Sequence, residues 1–177
     1  LNETSEIWCF IFLFCSIFSV IIGAFVTLKQ KRLKKLLAYS GINHVGYILL
    51  GLSFFTVDSI SSVFLYMLVY MITGVCTWGV ISMLNRVDAV SSTPTVGSLT
   101  GLVKINPLLA FIFSFCLFSL AGIPPLLGFY AKLGIFQAAL NSGFFIMGSF
   151  IILTSVVSTF YYIRLIKSIY FENTSIN

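Results

Sequence analysis

Two ionisable side chains sit deep inside otherwise apolar runs. One is Lys132, in SLAGIPPLLGFYAKLGIF (residues 119–136), and the other is His44, in KKLLAYSGINHVGYILLGL (residues 34–52). The chemistry both could do is proton exchange. Histidine has an unperturbed pKa of about 6.5, which suits a relay near neutral pH. A lysine held away from water is a protonatable site if its surroundings allow transfer. Lys132 follows Gly122, Pro124 and Pro125. His44 belongs to a polar stripe: Tyr39, Asn43 and Tyr47 are spaced by four, as are Ser40 and His44. Residues four apart share a helix face, so the two rows lie side by side and could hold ordered water inside a bundle.

The elements that position these groups are read from hydropathy. The chain has 177 residues, of which 59% are hydrophobic and 8% charged, and its mean hydropathy is +1.07. That charge cannot cover the surface of a soluble domain. The fold class is therefore an all-α membrane protein, and no nucleic-acid partner is expected. Apolar runs place spans at about residues 7–28, 36–57, 60–84, 107–140 and 144–166, in one membrane domain covering residues 1–177. A span needs about 20 apolar residues.

The fourth run has about 34 residues, or roughly 50 Å if fully helical, against a hydrocarbon core of about 30 Å. A single straight helix fits poorly. Proline removes a donor and clashes with the preceding turn, so the helix should stop or kink near Ala121 and break within 121–125. It should restart with Pro125 or Leu126 in its first turn, where a missing N–H costs nothing. Broken backbone at membrane depth is tolerated only against protein or water, and such helices mark ion sites in transporters. Lys132 comes about two turns after Pro125, and an ionisable residue there reads as functional. The alternative is a lysine that snorkels to the interface. His44 has its own alternative, a hydrogen-bonded packing histidine. Thr73, Thr77, Ser82, Ser149, Thr154, Ser155, Ser158 and Thr159 read as helix-packing contacts.

Nine of the ten basic residues divide cleanly by side. Lys29, Lys31, Arg32, Lys34 and Lys35 follow the first run, Arg86 and Lys104 the third, and Arg164 and Lys167 end the fifth. With five spans all fall on one side, while Glu3, Glu6 and Asp58 fall on the other. The positive-inside pattern then puts the C-terminus in the cytoplasm or matrix and the N-terminus opposite. Only Lys132 belongs to neither side. Cys9, Cys15, Cys76 and Cys116 have no metal or disulfide spacing and read as small buried hydrophobes. No signal peptide is expected, since Glu3 and Glu6 stand where a basic region would. The sequons at Asn2 and Asn173 read as chance.

Three segments carry a resemblance to a known family. KKLLAYSGINHVGY resembles the KRLLAYSSISHLGY segment of the antiporter-like subunits of respiratory complex I. FSLAGIPPLLGFYAKLGIFQAAL resembles the broken helix of one of them, NADH:ubiquinone oxidoreductase subunit 2. TFYYIRLIKSIYFEN is similar to the segment that follows it there. Order and spacing match over residues 7–173.

The resemblance implies a proton-pumping membrane-arm subunit of an NADH:ubiquinone oxidoreductase. Lys132 would be the proton-loading lysine of the second broken helix and His44 the relay histidine on the central axis. Lys34 and Lys35 would be the basic pair on the matrix side. No cofactor, redox centre or metal is expected in this chain.

The resemblance also implies partners. They are membrane lipids, other membrane-arm subunits and, since the first half-channel is missing, a separate chain carrying the N-terminal part of the subunit. A split mitochondrial gene would explain that division, and a deletion or a fragment would too. The setting would be the mitochondrial inner membrane, with the N-terminus in the intermembrane space. Two other readings stand beside this one: a structural brace without its own proton path, and a subunit of a multi-subunit cation/proton antiporter.

Overall fold

A computed structural model describes residues 3–87 and 95–172. Both sequons, the middle of the 85–106 loop and the end of the C-terminal tail lie outside the described residues. Helices α1 (Glu3–Lys29), α2 (Leu33–Ser53) and α3 (Val57–Val87) come first. A 3-10 turn (Val96–Leu99) and the short α4 (Leu102–Ile105) lead to α5 (Pro107–Ala121), α6 (Leu127–Asn141) and α7 (Phe145–Tyr170). Among the described residues the only β pairing is an isolated bridge between Arg32 and Thr95. Helices α1, α2, α3 and α7 are each long and apolar enough to cross a membrane.

Helices α5 and α6 are the two halves of the broken segment, with 15 residues each. Each is about 22 Å long, too short to cross a hydrocarbon core of about 30 Å alone. The start of α5 follows from its sequence: Pro107 opens the helix and the Asn106 side chain accepts from the Leu109 N–H. The stop at Ala121 falls where the prolines predict it. The restart is later than expected: α6 begins at Leu127, and extended Leu126 is its N-cap. Pro124 and Pro125 both stay in the connection. Helix α2 also stops early, at Ser53 rather than residue 57. Thr56 and Ser59 exchange side-chain and backbone hydrogen bonds and so cap the start of α3.

The helices assemble around two apolar clusters. One joins Leu33, Ile81, Leu99, Phe113, Tyr161, Tyr162 and Leu165. The other joins Val20, Tyr47, Leu50, Tyr66, Ile135 and Ile151. Leu99 and Leu102 lie in the stretch read from sequence as a polar loop, yet both are buried. Close approach of α1 to α2 depends on Gly23, where an added Cβ would lie 2.6 Å from the Asn43 nitrogen. Outward faces are apolar: Phe10, Phe64, Phe111 and Phe160 are all well exposed, as lipid or neighbouring apolar protein would require.

The two ends differ in character. At one, Lys31, Thr95, Gly97, Arg164 and Glu172 line a common hollow, and the Arg164 guanidinium donates to the Leu28 carbonyl. At the other, Cys9 donates to the Ser53 carbonyl and the Phe54 and Phe144 rings pack 5.5 Å apart. The reading of the cysteines needs correction. Cys116 is buried, but Cys15 and Cys76 are exposed and Cys9 is half-buried. Apolar segments with bare outer faces place some of their cysteines on those faces.

Candidate functional site

The site begins at the end of α5. A helix leaves its last carbonyls without intrahelical partners. Gly122, at φ 81°, turns the chain into the left-handed region. Its N–H then bonds to the Ser119 carbonyl, and the Ile123 N–H bonds to that of Phe118. This glycine-dependent closure satisfies two of the four carbonyls. Of the two left over, the Ala121 carbonyl takes its donors from two side chains. Lys132 Nζ donates to it at 2.8 Å and Thr159 Oγ1 at 3.2 Å.

Lys132 reaches that carbonyl because α6 doubles back closely on α5. Gly128 permits the approach: a Cβ there would lie 1.7 Å from the Ser119 carbonyl oxygen. Lys132 is four residues further on and shares that face. Its side chain is 7% exposed, so the ammonium turns inward and does not snorkel. Its second polar contact is Ser158 Oγ at 3.4 Å, and the Tyr47 ring centroid lies 5.6 Å from Nζ. All these partners are neutral. The charge rests on a carbonyl at the negative end of a half-helix, a charge-assisted hydrogen bond.

His44, on α2, is 2% exposed. Its Nδ1 lies 2.7 Å from the Tyr66 hydroxyl on α3, and its Nε2 lies 2.9 Å from the Tyr162 hydroxyl on α7. The imidazole thus spans from one apolar cluster to the other. His44, Tyr66, Thr73, Ser119, Gly128 and Lys132 all border one small cavity of about 10 Å³, the room a single water needs. On its other side Lys132 faces a groove of about 270 Å³, lined by Gly122, Phe129, Phe136 and Ser155. The two ionisable residues, 88 positions apart in the chain, share a polar centre.

The rest of the stripe divides. Asn43 and Tyr47 are buried and face α7. Tyr47 donates to Thr154 Oγ1 at 2.9 Å, and Asn43 Nδ2 donates to the Tyr161 hydroxyl at 3.4 Å. Asn43 Oδ1 is buried without a partner among the described residues. Ser40 is buried but donates to its own helix, to the Leu37 carbonyl. Tyr39 is half-buried, and Lys34 and Lys35 are exposed; none of these three joins the centre. Among the described residues no group of histidine, cysteine and carboxylate side chains could hold a metal.

Sequence reasoning missed five participants. Thr154, Ser158 and Thr159 were read as packing, yet they contact Tyr47, Lys132 and the Ala121 carbonyl. Tyr66 and Tyr162 were not singled out at all. Tyrosines inside apolar runs, with no interface nearby to wet their hydroxyls, were the available signal.

Comparison with known proteins follows this geometry. Residues 1–159 match the family described as NADH:quinone oxidoreductase/Mrp antiporter, transmembrane. The chain is 45% identical over 165 residues to NADH-quinone oxidoreductase subunit N of Wolbachia sp. subsp. Brugia malayi, covering 93% of this chain and 34% of that protein. It is 42% identical over 162 residues to NADH-ubiquinone oxidoreductase chain 2 of Oenothera berteroana, covering 92% and 32%. Among solved structures it resembles a chain of respiratory complex I from Thermus thermophilus with bound aureothin. There the TM-score is 0.79 and the identity 30%, over 91% of this chain and 36% of that one. A chain of the Mrp complex from Dietzia sp. DQ12-45-1b gives a TM-score of 0.79 at 26% identity, over 95% and 30%. The chain therefore spans about a third of the length of the curated relatives it matches.

Proposed function

We infer the function from a premise of kinship: the chain belongs to the NADH:quinone oxidoreductase/Mrp antiporter transmembrane family. It is a multi-pass membrane protein, and its relatives are subunits of NADH-quinone oxidoreductase. Our reading is that it serves as the C-terminal half-channel of a complex I subunit of this type. Lys132 is the site that loads and releases a proton, and His44 relays it. Oxidation of NADH and reduction of quinone take place in other subunits of the complex.

The observation that carries this reading is the seat of Lys132. A lone ammonium buried at a helix break is costly and is rarely retained without use. Its contacts suit a charge that comes and goes. With Nζ charged, the Ala121 carbonyl receives two donors. When the proton leaves, the neutral amine keeps two N–H donors and the Thr159 hydroxyl stays within reach, so the break is not left bare in either state. The small cavity toward His44 and the groove on the opposite side give Lys132 two neighbouring spaces with which to exchange protons. The curated relatives at 45% and 42% identity are NADH-quinone oxidoreductase subunit N and NADH-ubiquinone oxidoreductase chain 2, which supports complex I over a cation antiporter.

The remaining parts of the reading follow from kinship and charge. A second chain supplies the other two-thirds of the subunit, beside the other membrane-arm subunits. The membrane is the mitochondrial inner membrane, with the basic end of the bundle toward the matrix and the N-terminus in the intermembrane space.

Two experiments test this. Native mass spectrometry of the membrane assembly should find the chain in an active NADH:quinone oxidoreductase, with a second chain bearing the missing helices. Within that complex, Lys132→Met should preserve assembly and lower the protons moved per NADH oxidised. An unchanged proton yield in the assembled Lys132→Met complex would reduce the chain to a structural brace.

A further inference from the structure

We propose that Tyr66 and Tyr162 are working members of a three-residue proton relay, Tyr66–His44–Tyr162, joining the Lys132 cavity to α7. The proposal rests on the function inferred above and deepens it.

Both ring nitrogens of His44 meet a tyrosine hydroxyl, at 2.7 and 2.9 Å. A neutral imidazole has one N–H and one lone pair. One tyrosine therefore donates to the ring while the other accepts from it. Such a pairing gives the chain a direction, and reversing the tautomer reverses that direction. Tyr66 borders the cavity that also holds Lys132. Tyr162 lies on α7, two positions before Arg164 and toward the basic end of the bundle. All three side chains are buried to 3% exposure or less, so bulk water does not compete for these hydrogen bonds.

The transfer balances without any lasting charge on oxygen. A proton from the Lys132 ammonium, passed by a water in the cavity, forms a new O–H bond on Tyr66. The original Tyr66 hydroxyl proton moves to Nδ1 and makes an imidazolium. The Nε2–H bond then breaks toward the Tyr162 oxygen, and the Tyr162 hydroxyl proton passes to an acceptor beyond, a water or a hydroxyl. One proton enters and one leaves, and each oxygen keeps one hydrogen. Rotation of both hydroxyls and return of the tautomer reset the chain.

A packing role for these rings predicts otherwise, and a tyrosine on the helix of His44 supplies the control. Tyr39 is half-buried and borders neither the Lys132 cavity nor the His44 ring.

The test uses the complete complex containing this chain, reconstituted in vesicles, with NADH oxidation and proton uptake measured together. Tyr66→Phe, Tyr162→Phe and His44→Gln should each assemble and lose the same share of proton yield as Lys132→Met. Glutamine can donate and accept but cannot hand a proton through a ring. The Tyr66→Phe/Tyr162→Phe double variant should lose no more than either single one, because the members act in series. Tyr39→Phe should keep full yield. Full yield in either single phenylalanine variant overturns the relay while Lys132→Met, if it lowers the yield, leaves the wider reading standing. Failure of all three variants to assemble, with Tyr39→Phe assembling normally, assigns the hydroxyls to packing and also overturns it. A silent Lys132→Met places the failure in the wider reading.

Discussion

Gly128→Ala is a one-carbon change that tests whether the seat of Lys132 depends on how closely α6 lies against α5. The added Cβ would stand 1.7 Å from the Ser119 carbonyl oxygen and 2.7 Å from the Ser119 carbonyl carbon. Both are backbone atoms and cannot swing aside as a side chain could. Even a contact of 3.0 Å, the lower bound of real Cβ contacts, requires α6 to retreat by about 1.3 Å, on the scale at which overpacked cores must shift their backbone. Two consequences follow. Ser119 accepts the Gly122 N–H that closes α5, so a shift there loosens the closure. Carried along α6, the same shift takes the 2.8 Å Lys132–Ala121 bond to roughly 4 Å, beyond hydrogen-bond range. Overpacking costs about 1–3 kcal/mol, and a severed bond from a charged donor about 1.5–3 kcal/mol. The assay compares thermal inactivation and proton yield of assembled complex carrying Gly128→Ala with Gly74→Ala and Gly79→Ala. A Cβ at either of those two positions meets nothing within 4 Å, and alanine gains up to about 1 kcal/mol of helix propensity there. The expected result is lowered stability and lowered yield for Gly128→Ala alone. Equal behaviour of the three variants would refute the close-approach argument and, with it, the account of how Lys132 reaches α5.

Two further predictions follow. Thr159→Val removes one of the two donors on the Ala121 carbonyl and should cost about 0.5–1.5 kcal/mol with proton yield retained. Combined with Lys132→Met it leaves that carbonyl bare, so the double-variant cycle by thermal inactivation should show a coupling of about 0.5–3 kcal/mol. Leu99→Ala should cost about 2–5 kcal/mol and reduce the amount of assembled complex in native gels, since Leu99 is fully buried outside the main helices.

How much of this was legible in the sequence depended on the kind of signal. The break was legible because its cause is local. Gly122, Pro124 and Pro125 act through their own backbones, and the run containing them is too long for one span. Lys132 and His44 were legible because a charge or an imidazole in an apolar run stands out by type. Their partners were not. Thr159 and Ser158 look like any hydroxyl residue able to bond back to its own helix, and both also do so, to the carbonyls of Ser155. Only tertiary placement turns them toward Ala121 and Lys132. Tyr66 and Tyr162 were hidden for a related reason. A tyrosine is amphipathic and common near membrane interfaces, so residue type alone does not reveal that both hydroxyls converge on one ring. The buried Leu99 and Leu102 could have been found, since their spacing of three, with Val96 before them, is an apolar helical face within the loop. Helix α6 restarts at Leu127 rather than with Pro125 or Leu126 in its first turn, because Leu126 is extended and serves as the N-cap.

The break and the lysine explain one another. A break in an apolar helix strands carbonyls where neither water nor lipid can satisfy them, at a cost of about 1–3 kcal/mol for each buried orphan. An isolated buried ammonium is costly for the opposite reason, having three donors and no acceptor. Here each is the other's partner. Gly122 turns the chain so that two carbonyls close on local N–H groups. The third is aimed at Lys132, which the second half of the same broken segment carries back. On losing its proton the amine still has two N–H donors, and Thr159 stands 3.2 Å from the same carbonyl while its single hydrogen also faces the Ser155 carbonyl at 2.9 Å. The carbonyl is therefore served whether or not Nζ carries its charge, as the proposed loading and release of a proton at this break requires.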